Sequence, residues 1–263
     1  MQDLTITLIQ AYLFWEQPEK NLKSFEKKFA GLAGKQDLIV LPEMFSTGFT
    51  MNGDKCAEAP EGNTFNWMQQ QAKALNCVIT GSFLCTEGGN LYNHLVWMRP
   101  DGTYDTYDKR HLFRFGNEHL HFTPGKQKLI VELKGWKICP LICYDLRFPV
   151  WAKNTYANHS FTYDLLLYLA NWPEKRKHHW RALLMARAIE NLSFAAGVNR
   201  IGEDGKGNAH SGNSLMVSPK GEVICEIAEN MERIETVVLQ KYELLQYRER
   251  FNVGQDWDSF EIK

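Results

Sequence analysis

Three residues of chemically useful types stand at or near the ends of apolar runs that read as strands. Glu43 follows one in DLIVLPEMFSTGF, Lys109 lies in YDKRHLF, and Cys143 closes one in KICPLICYDLRFP. A strand end is rigid and the loop beyond it is open, so reactive groups are often placed there. A carboxylate with Met44, Phe45 and Phe49 as neighbours is a candidate general base. A lysine in a basic cluster can hold an anion or stabilise an oxyanion. A thiol at a strand-to-helix elbow is a candidate nucleophile, and a helix starting near Asp145 would favour its thiolate. Taken singly, each also fits a structural role: a loop-capping glutamate, a solvated basic turn, a buried cysteine.

Other chemistries find no support. Gly205-Lys206-Gly207 completes neither a dinucleotide-binding nor a phosphate-binding glycine loop. No GxSxG occurs, so a serine nucleophile elbow has no candidate. His119 and His121, and the pair His178-His179, lack further residues at metal-ligand spacing. Cys139 and Cys143 are four apart with no second pair of ligands, and no metal is expected.

The elements that must carry these residues alternate in type. Strands are expected over Leu4–Gln10, Asp37–Leu41, Cys77–Phe83, Tyr92–Met98 and Thr103–Tyr107. Helices are expected over Glu19–Leu32, with Leu22, Phe25, Phe29 and Leu32 on one face, and over Phe65–Leu75. The second half repeats the theme. Strands at Lys128–Leu133, Trp136–Cys143, Asp164–Ala170 and Ser193–Asn199 are interleaved with helices at Pro149–Tyr156 and His178–Asn191. Gly202–Gly212 reads as a glycine-rich loop. Strands Leu215–Ser218, Glu222–Ile227 and Glu235–Leu239, then a helix over Tyr242–Arg250, close the chain. The alternation predicts an α/β fold, and the tight hairpins predict mixed sheets. Helices would cover one face of a sheet, and the bare face must pack on a second sheet.

The 263 residues contain no linker or repeat and are read as a single domain over 1–263. With 30 basic and 31 acidic residues, bulk charge points to no nucleic acid or anionic membrane partner. The longest apolar run, Leu165–Ala170, is far short of the roughly 20 residues of a membrane span. MQDLTITLIQ lacks the pattern of an export signal, so a cytoplasmic protein with its six cysteines as free thiols is expected.

Together the three contexts closely resemble the nitrilase, or carbon–nitrogen hydrolase, superfamily. Further matching segments are ARAIEN at 186–191, NRIG at 199–202 and GNSLMVSPKGEV at 212–223. The resemblance implies a four-layer α-β-β-α sandwich whose layers continue across a homodimer. It implies a Glu43–Lys109–Cys143 triad and a second glutamate between the lysine and the cysteine. Glu118 is the only glutamate between 110 and 131 and is the match. The implied reaction is amide hydrolysis through a cysteine thioester, with the Tyr144 N–H and Lys109 facing the oxyanion and no metal or organic cofactor.

The flanking residues, including LYLANWP, look most like the bacterial ω-amidase branch, whose substrates are small α-keto acid amides such as 2-oxoglutaramate. The sibling deaminated glutathione amidases share the triad. A substrate carboxylate calls for an arginine fork. Arg147 is the first candidate, with an ion pair to a nearby acid as its structural alternative. Arg114 and His119 are further candidates, and Trp172 is either a pocket wall or core.

Overall fold

The computed structural model describes residues 2–32 and 34–262. In the first half the strands are β1 (Leu4–Gln10), β2 (Leu38–Val40), β3 (Val78–Glu87), β4 (Asn90–Met98) and β5 (Tyr104–Asp108). The second half contains β6 (Val131–Leu133), β7 (Trp136–Ile142), β8 (Tyr156–Ala157), β9 (Ser160–Phe161), β10 (Leu165–Ala170) and β11 (Phe194–Asn199). It continues with β12 (Ile201–Glu203), β13 (Ala209–Ser211), β14 (Leu215–Val217), β15 (Val223–Glu226) and β16 (Arg233–Leu239). The helices are α1 (Pro18–Phe29), α2 (Gly53–Cys56), α3 (Asn63–Leu75), α4 (Pro149–Ala152), α5 (Lys177–Glu190) and α6 (Lys241–Arg250).

Two mixed six-stranded sheets form, ordered β16-β1-β2-β3-β4-β5 and β15-β14-β11-β10-β7-β6. Each has a parallel centre, β1-β2-β3 and β7-β10-β11, flanked by antiparallel strands. Side chains alternate between faces along a strand, and the sequence uses both. On the first sheet Leu8, Leu38, Val40, Leu95 and Trp97 join one core with β7, β10 and β11 of the second sheet. Their neighbours Ile9, Ile39, Val96 and Met98 point the other way, onto Phe25 and Phe29 of α1 and Met68 and Ala72 of α3. The bare face of each sheet therefore covers the other. Trp180, Leu184 and Ala188 of α5 pack on the second sheet. Gly197 of β11 makes this approach close, since a Cβ there would stand 2.4 Å from the Trp180 ring.

Three readings of the sequence need correction. The helix expected over Pro149–Tyr156 ends at Ala152. Asn154 then takes over the backbone, donating to the carbonyls of Tyr163 and Asn191 and accepting from the Tyr163 N–H. A side chain that satisfies backbone groups in this way competes with helix, and the chain turns instead into the ribbon β8–β9. The glycine-rich loop Gly202–Gly212 contains the antiparallel hairpin β12–β13. Asp204 accepts the N–H groups of Lys206 and Asn208 at its turn. The strand expected from Lys128 pairs only from Val131. Among the described residues no helix is long and apolar enough to cross a membrane.

Candidate active site

Strand ends from both sheets deliver the candidate residues to one place. Glu43 follows β2 through Pro42, and the next turn is fixed by Ser82, whose hydroxyl accepts the Met44 N–H at 2.9 Å. Lys109 follows β5, its N–H donating to the Asn93 carbonyl of β4. The Gly125 N–H donates back to the Lys109 carbonyl. Gly125 approaches so closely that a Cβ would stand 2.0 Å from the Asp108 carbonyl oxygen, so only glycine fits. Cys143 ends β7 and begins a single 3-10 turn, Cys143–Arg147.

Cys143 has φ +43°, and Met44, beside Glu43, has φ +44°. Side-chain-bearing residues rarely occupy this region, and such strain persists only where surrounding structure enforces it. At Cys143 the enforcing contact is Asp145. Its carboxylate accepts the Ile142 N–H at 3.1 Å, the Tyr107 hydroxyl at 2.7 Å and the His111 N–H at 3.0 Å. A further contact of 2.7 Å reaches the His111 ring. One buried acid thus ties the cysteine elbow to the segment that carries Lys109.

The inner cluster is fully enclosed. Lys109 Nζ donates to Glu43 Oε1 at 2.8 Å and to both Glu118 oxygens at 3.0 and 2.9 Å, with all three side chains 0% exposed. The Phe49 ring stands beneath the ammonium at 5.0 Å. Burial alone would lower the lysine's pKa, but the carboxylates of Glu118 and Glu43 outweigh it and hold the value above normal. Lys109 therefore stays charged. Glu118 is pushed up by burial and by Glu43, against the pull of Lys109. The Cys143 thiol is held well above its ordinary pKa, by burial first and then by the charge of the Glu43 carboxylate, with Lys109 pulling the other way. The expectation of a thiolate-favouring elbow is thus corrected. The helix beyond Cys143 is one short 3-10 turn, and desolvation next to an acid keeps the resting thiol protonated.

Two residues of this cluster escape a reading of the sequence. Asn93 of β4 donates from Nδ2 to Glu43 Oε1 at 2.9 Å and more weakly to Glu118 Oε1 at 3.4 Å. Asn171, just past β10, donates its N–H to Glu43 Oε2 at 2.8 Å and its side-chain amide to the Glu43 carbonyl. Asparagines at strand ends are common, so only the fold shows which ones face an acid.

The cluster opens into a cavity of about 340 Å³ lined by Glu43, Lys109, Cys143, Tyr144, Arg147 and Trp172, among others. Arg147 lies over the Trp172 ring at 4.7 Å and contacts His179 Nδ1 at 3.2 Å. Its suggested structural alternative, an ion pair, is not found among the described residues. Trp172 is both wall and core, lining the cavity while packing against Trp180 at 5.4 Å. Arg114 is exposed, and neither it nor His119 lines the cavity. The turns Arg114–Gly116 and Glu118–Leu120 aim Glu118 inward, while Arg114 lies at the surface. All six cysteines are free.

The profile of the carbon-nitrogen hydrolase family matches residues 5–248. The chain belongs to the carbon–nitrogen hydrolase family. It is 46% identical over 264 residues to "Omega-amidase YafV" of Escherichia coli K12, covering 100% of both chains. Identity to "2-oxoglutaramate amidase" of Bacillus subtilis is 33% over 225 residues, covering 84% of this chain and 85% of that one. Among solved structures, the CN-hydrolase superfamily protein XC1258 from Xanthomonas campestris superposes with a TM-score of 0.97 at 43% identity, over 100% of both chains. That structure carries an arsenic adduct in its active site.

Proposed function

We propose that this carbon–nitrogen hydrolase is an ω-amidase. It would hydrolyse the terminal amide of a short 2-oxo acid amide, 2-oxoglutaramate or 2-oxosuccinamate, to the acid and ammonia. The observation that carries the reading is a buried thiol of raised pKa and a buried carboxylate lining one cavity, whose wall holds an arginine with no acid partner among the described residues. Full-length similarity to omega-amidases supports the same reading.

The chemistry follows from the positions. Glu43 accepts the Cys143 proton as sulfur bonds to the amide carbon, which removes the obstacle of a raised thiol pKa in the attacking step. Lys109 and the Tyr144 N–H stabilise the oxyanion. Glu43 passes the proton to the leaving nitrogen, the C–N bond breaks, ammonia departs and a thioester remains. Glu43 then takes a proton from water, hydroxide adds to the thioester, and the acid and thiol are released. Glu118 and Asn93 hold Lys109 and Glu43 in place. Arg147 receives the substrate carboxylate, with Trp172 as its platform.

The working unit is read as a cytoplasmic homodimer of single-domain, four-layer α-β-β-α protomers. The exposed apolar residues Tyr242 and Leu245 of α6 and Phe251 beyond it support an association face. The proposed partner of the site is a small α-keto acid amide, with no role for nucleic acid or membrane. The test is ammonia release from 2-oxoglutaramate and from deaminated glutathione, with Cys143→Ala as control. Preference for 2-oxoglutaramate supports the reading. Preference for deaminated glutathione moves the chain to the sibling activity, and the modest cavity disfavours that larger substrate.

A further inference from the structure

The outer wall of the cavity carries positive charge that no acid among the described residues neutralises in an ion pair. Arg147 and Arg176 both line it. Among the described residues neither guanidinium is in an ion pair, whereas those of Arg99, Arg181, Arg187, Arg233 and Arg248 all are. Lys175 and Lys206 add to the same wall. Its one carboxylate outside the inner cluster, Asp204, is engaged by Lys206 N–H, Asn208 N–H and the Asn208 side chain within its own turn.

The two arginines are neighbours. Burial lowers the pKa of Arg147, and the charge of Arg176 lowers it further. Both rest on aromatic faces, Arg147 over Trp172 at 4.7 Å and Arg176 over Phe113 at 5.5 Å and Phe115 at 5.8 Å. The Trp172 indole N–H donates to the Arg176 carbonyl at 2.8 Å, which ties the two supports together. Two like charges held side by side without a counter-ion repel, and an anion between them relieves that repulsion. The cavity also reaches Glu43 and Lys109, and the Lys109 ammonium is already paired with the carboxylates of Glu43 and Glu118. A ligand that is anionic at one end and neutral at the other therefore enters in one orientation.

We propose that Arg176 is a second anion-binding residue of this site. With Arg147 it clamps the carboxylate and adjacent 2-oxo oxygen of a short amide, leaving the neutral amide to face Cys143. This inference rests on the ω-amidase reading, which Arg147 alone already satisfies. It adds a second fork because three neighbouring acceptor oxygens exceed what one guanidinium edge can bind bidentately.

The test compares wild type, Arg176→Gln and Arg176→Lys. KM for 2-oxoglutaramate should rise about ten-fold in Arg176→Gln, with kcat within about two-fold of wild type and partial recovery in Arg176→Lys. Arg176 donates no side-chain hydrogen bond among the described residues, so the melting temperature should hold. A fall in kcat at unchanged KM, or no change in either, overturns the clamp. Calorimetry with 2-oxopentanoate, which keeps the 2-oxo carboxylate but has no amide, separates this from the substrate reading. If wild type fails to hydrolyse 2-oxoglutaramate, the ω-amidase reading falls, and the calorimetry still decides the clamp. Binding about ten-fold weaker in Arg176→Gln supports it; equal binding, or none by wild type, overturns it.

Discussion

Cys143 combines a left-handed backbone with a thiol held well above its ordinary pKa by burial and by the Glu43 carboxylate. Cys143→Ala should abolish ammonia release while leaving the melting temperature nearly unchanged, because deleting one sulfur atom leaves a small void. Residual turnover above background would dismiss the thioester route. In the free enzyme the raised pKa also predicts that iodoacetamide labelling of Cys143 keeps accelerating as pH rises past 9, as for a thiol of raised pKa. A labelling plateau near pH 7, read by mass spectrometry of the Cys143 peptide, would mean a resting thiolate and contradict this account. Arg147→Lys should raise KM for 2-oxoglutaramate about five-fold or more with little change in kcat, since a point charge replaces a planar fork. An equal KM would return Arg147 to a structural part. At this scale the sequence marks three residues that the fold brings together, because Glu43, Lys109 and Cys143 sit in distinctive contexts. It is silent on Asn93, Asn171 and Arg176, whose neighbours in the site come from distant strands.

At the scale of elements, the site is a meeting of β2, β5, β7 and β10 ends, and its accuracy depends on how the two sheets are joined there. Asp145 is the joint. It accepts hydrogen bonds from the end of β7, from Tyr107 of β5 and from His111 beyond Lys109. In Asp145→Asn one oxygen becomes an NH2 group facing donors, so at least one bond to a buried partner is lost. The expected cost is about 2 kcal/mol of stability, with kcat falling at least about ten-fold because a small displacement of nucleophile against base is enough. Urea unfolding and steady-state kinetics check both. Full activity in a destabilised variant would make Asp145 a purely structural acid. Elements were legible where apolar periodicity was strong, as in β10, β11 and α3. The reading failed at the hairpin β12–β13 and at the end of α4, where turn-forming side chains, Asp204 and Asn154, decide the backbone and apolar pattern gives no signal.

The whole molecule has a pH window set by groups buried far from their reference states. Burial, then the charge of Arg200, lowers His210 to about 4 from 6.5. Between those values the unfolded chain binds a proton that the folded chain does not, so stability is present above pH 6.5 and is lost as pH falls toward 4. Asp164 acts lower on the scale. Burial works to raise its pKa, but Arg248, which donates at 2.6 Å, the Lys137 N–H and Lys241 bring it below 3.8. Its contribution survives to that point and then disappears, releasing α6 from the core. On the alkaline side burial pushes Cys77, Cys85 and Cys139 up to about 12 from 9.0. Above pH 9 the unfolded chain ionises first, and stability falls as pH rises. The free energy of unfolding should therefore be flat from about pH 6.5 to 9 and decline on both sides. His210→Gln should flatten the acid limb above pH 4 without touching the alkaline one, and Cys139→Ala, which removes one of the three buried thiols, should make the alkaline limb shallower without touching the acid one. Urea titrations at pH 5, 7.5 and 10 decide it. An acid limb of unchanged slope in His210→Gln would place the proton uptake on other groups, and a steady rise of stability from pH 7.5 to 10 would refute the buried-thiol limb.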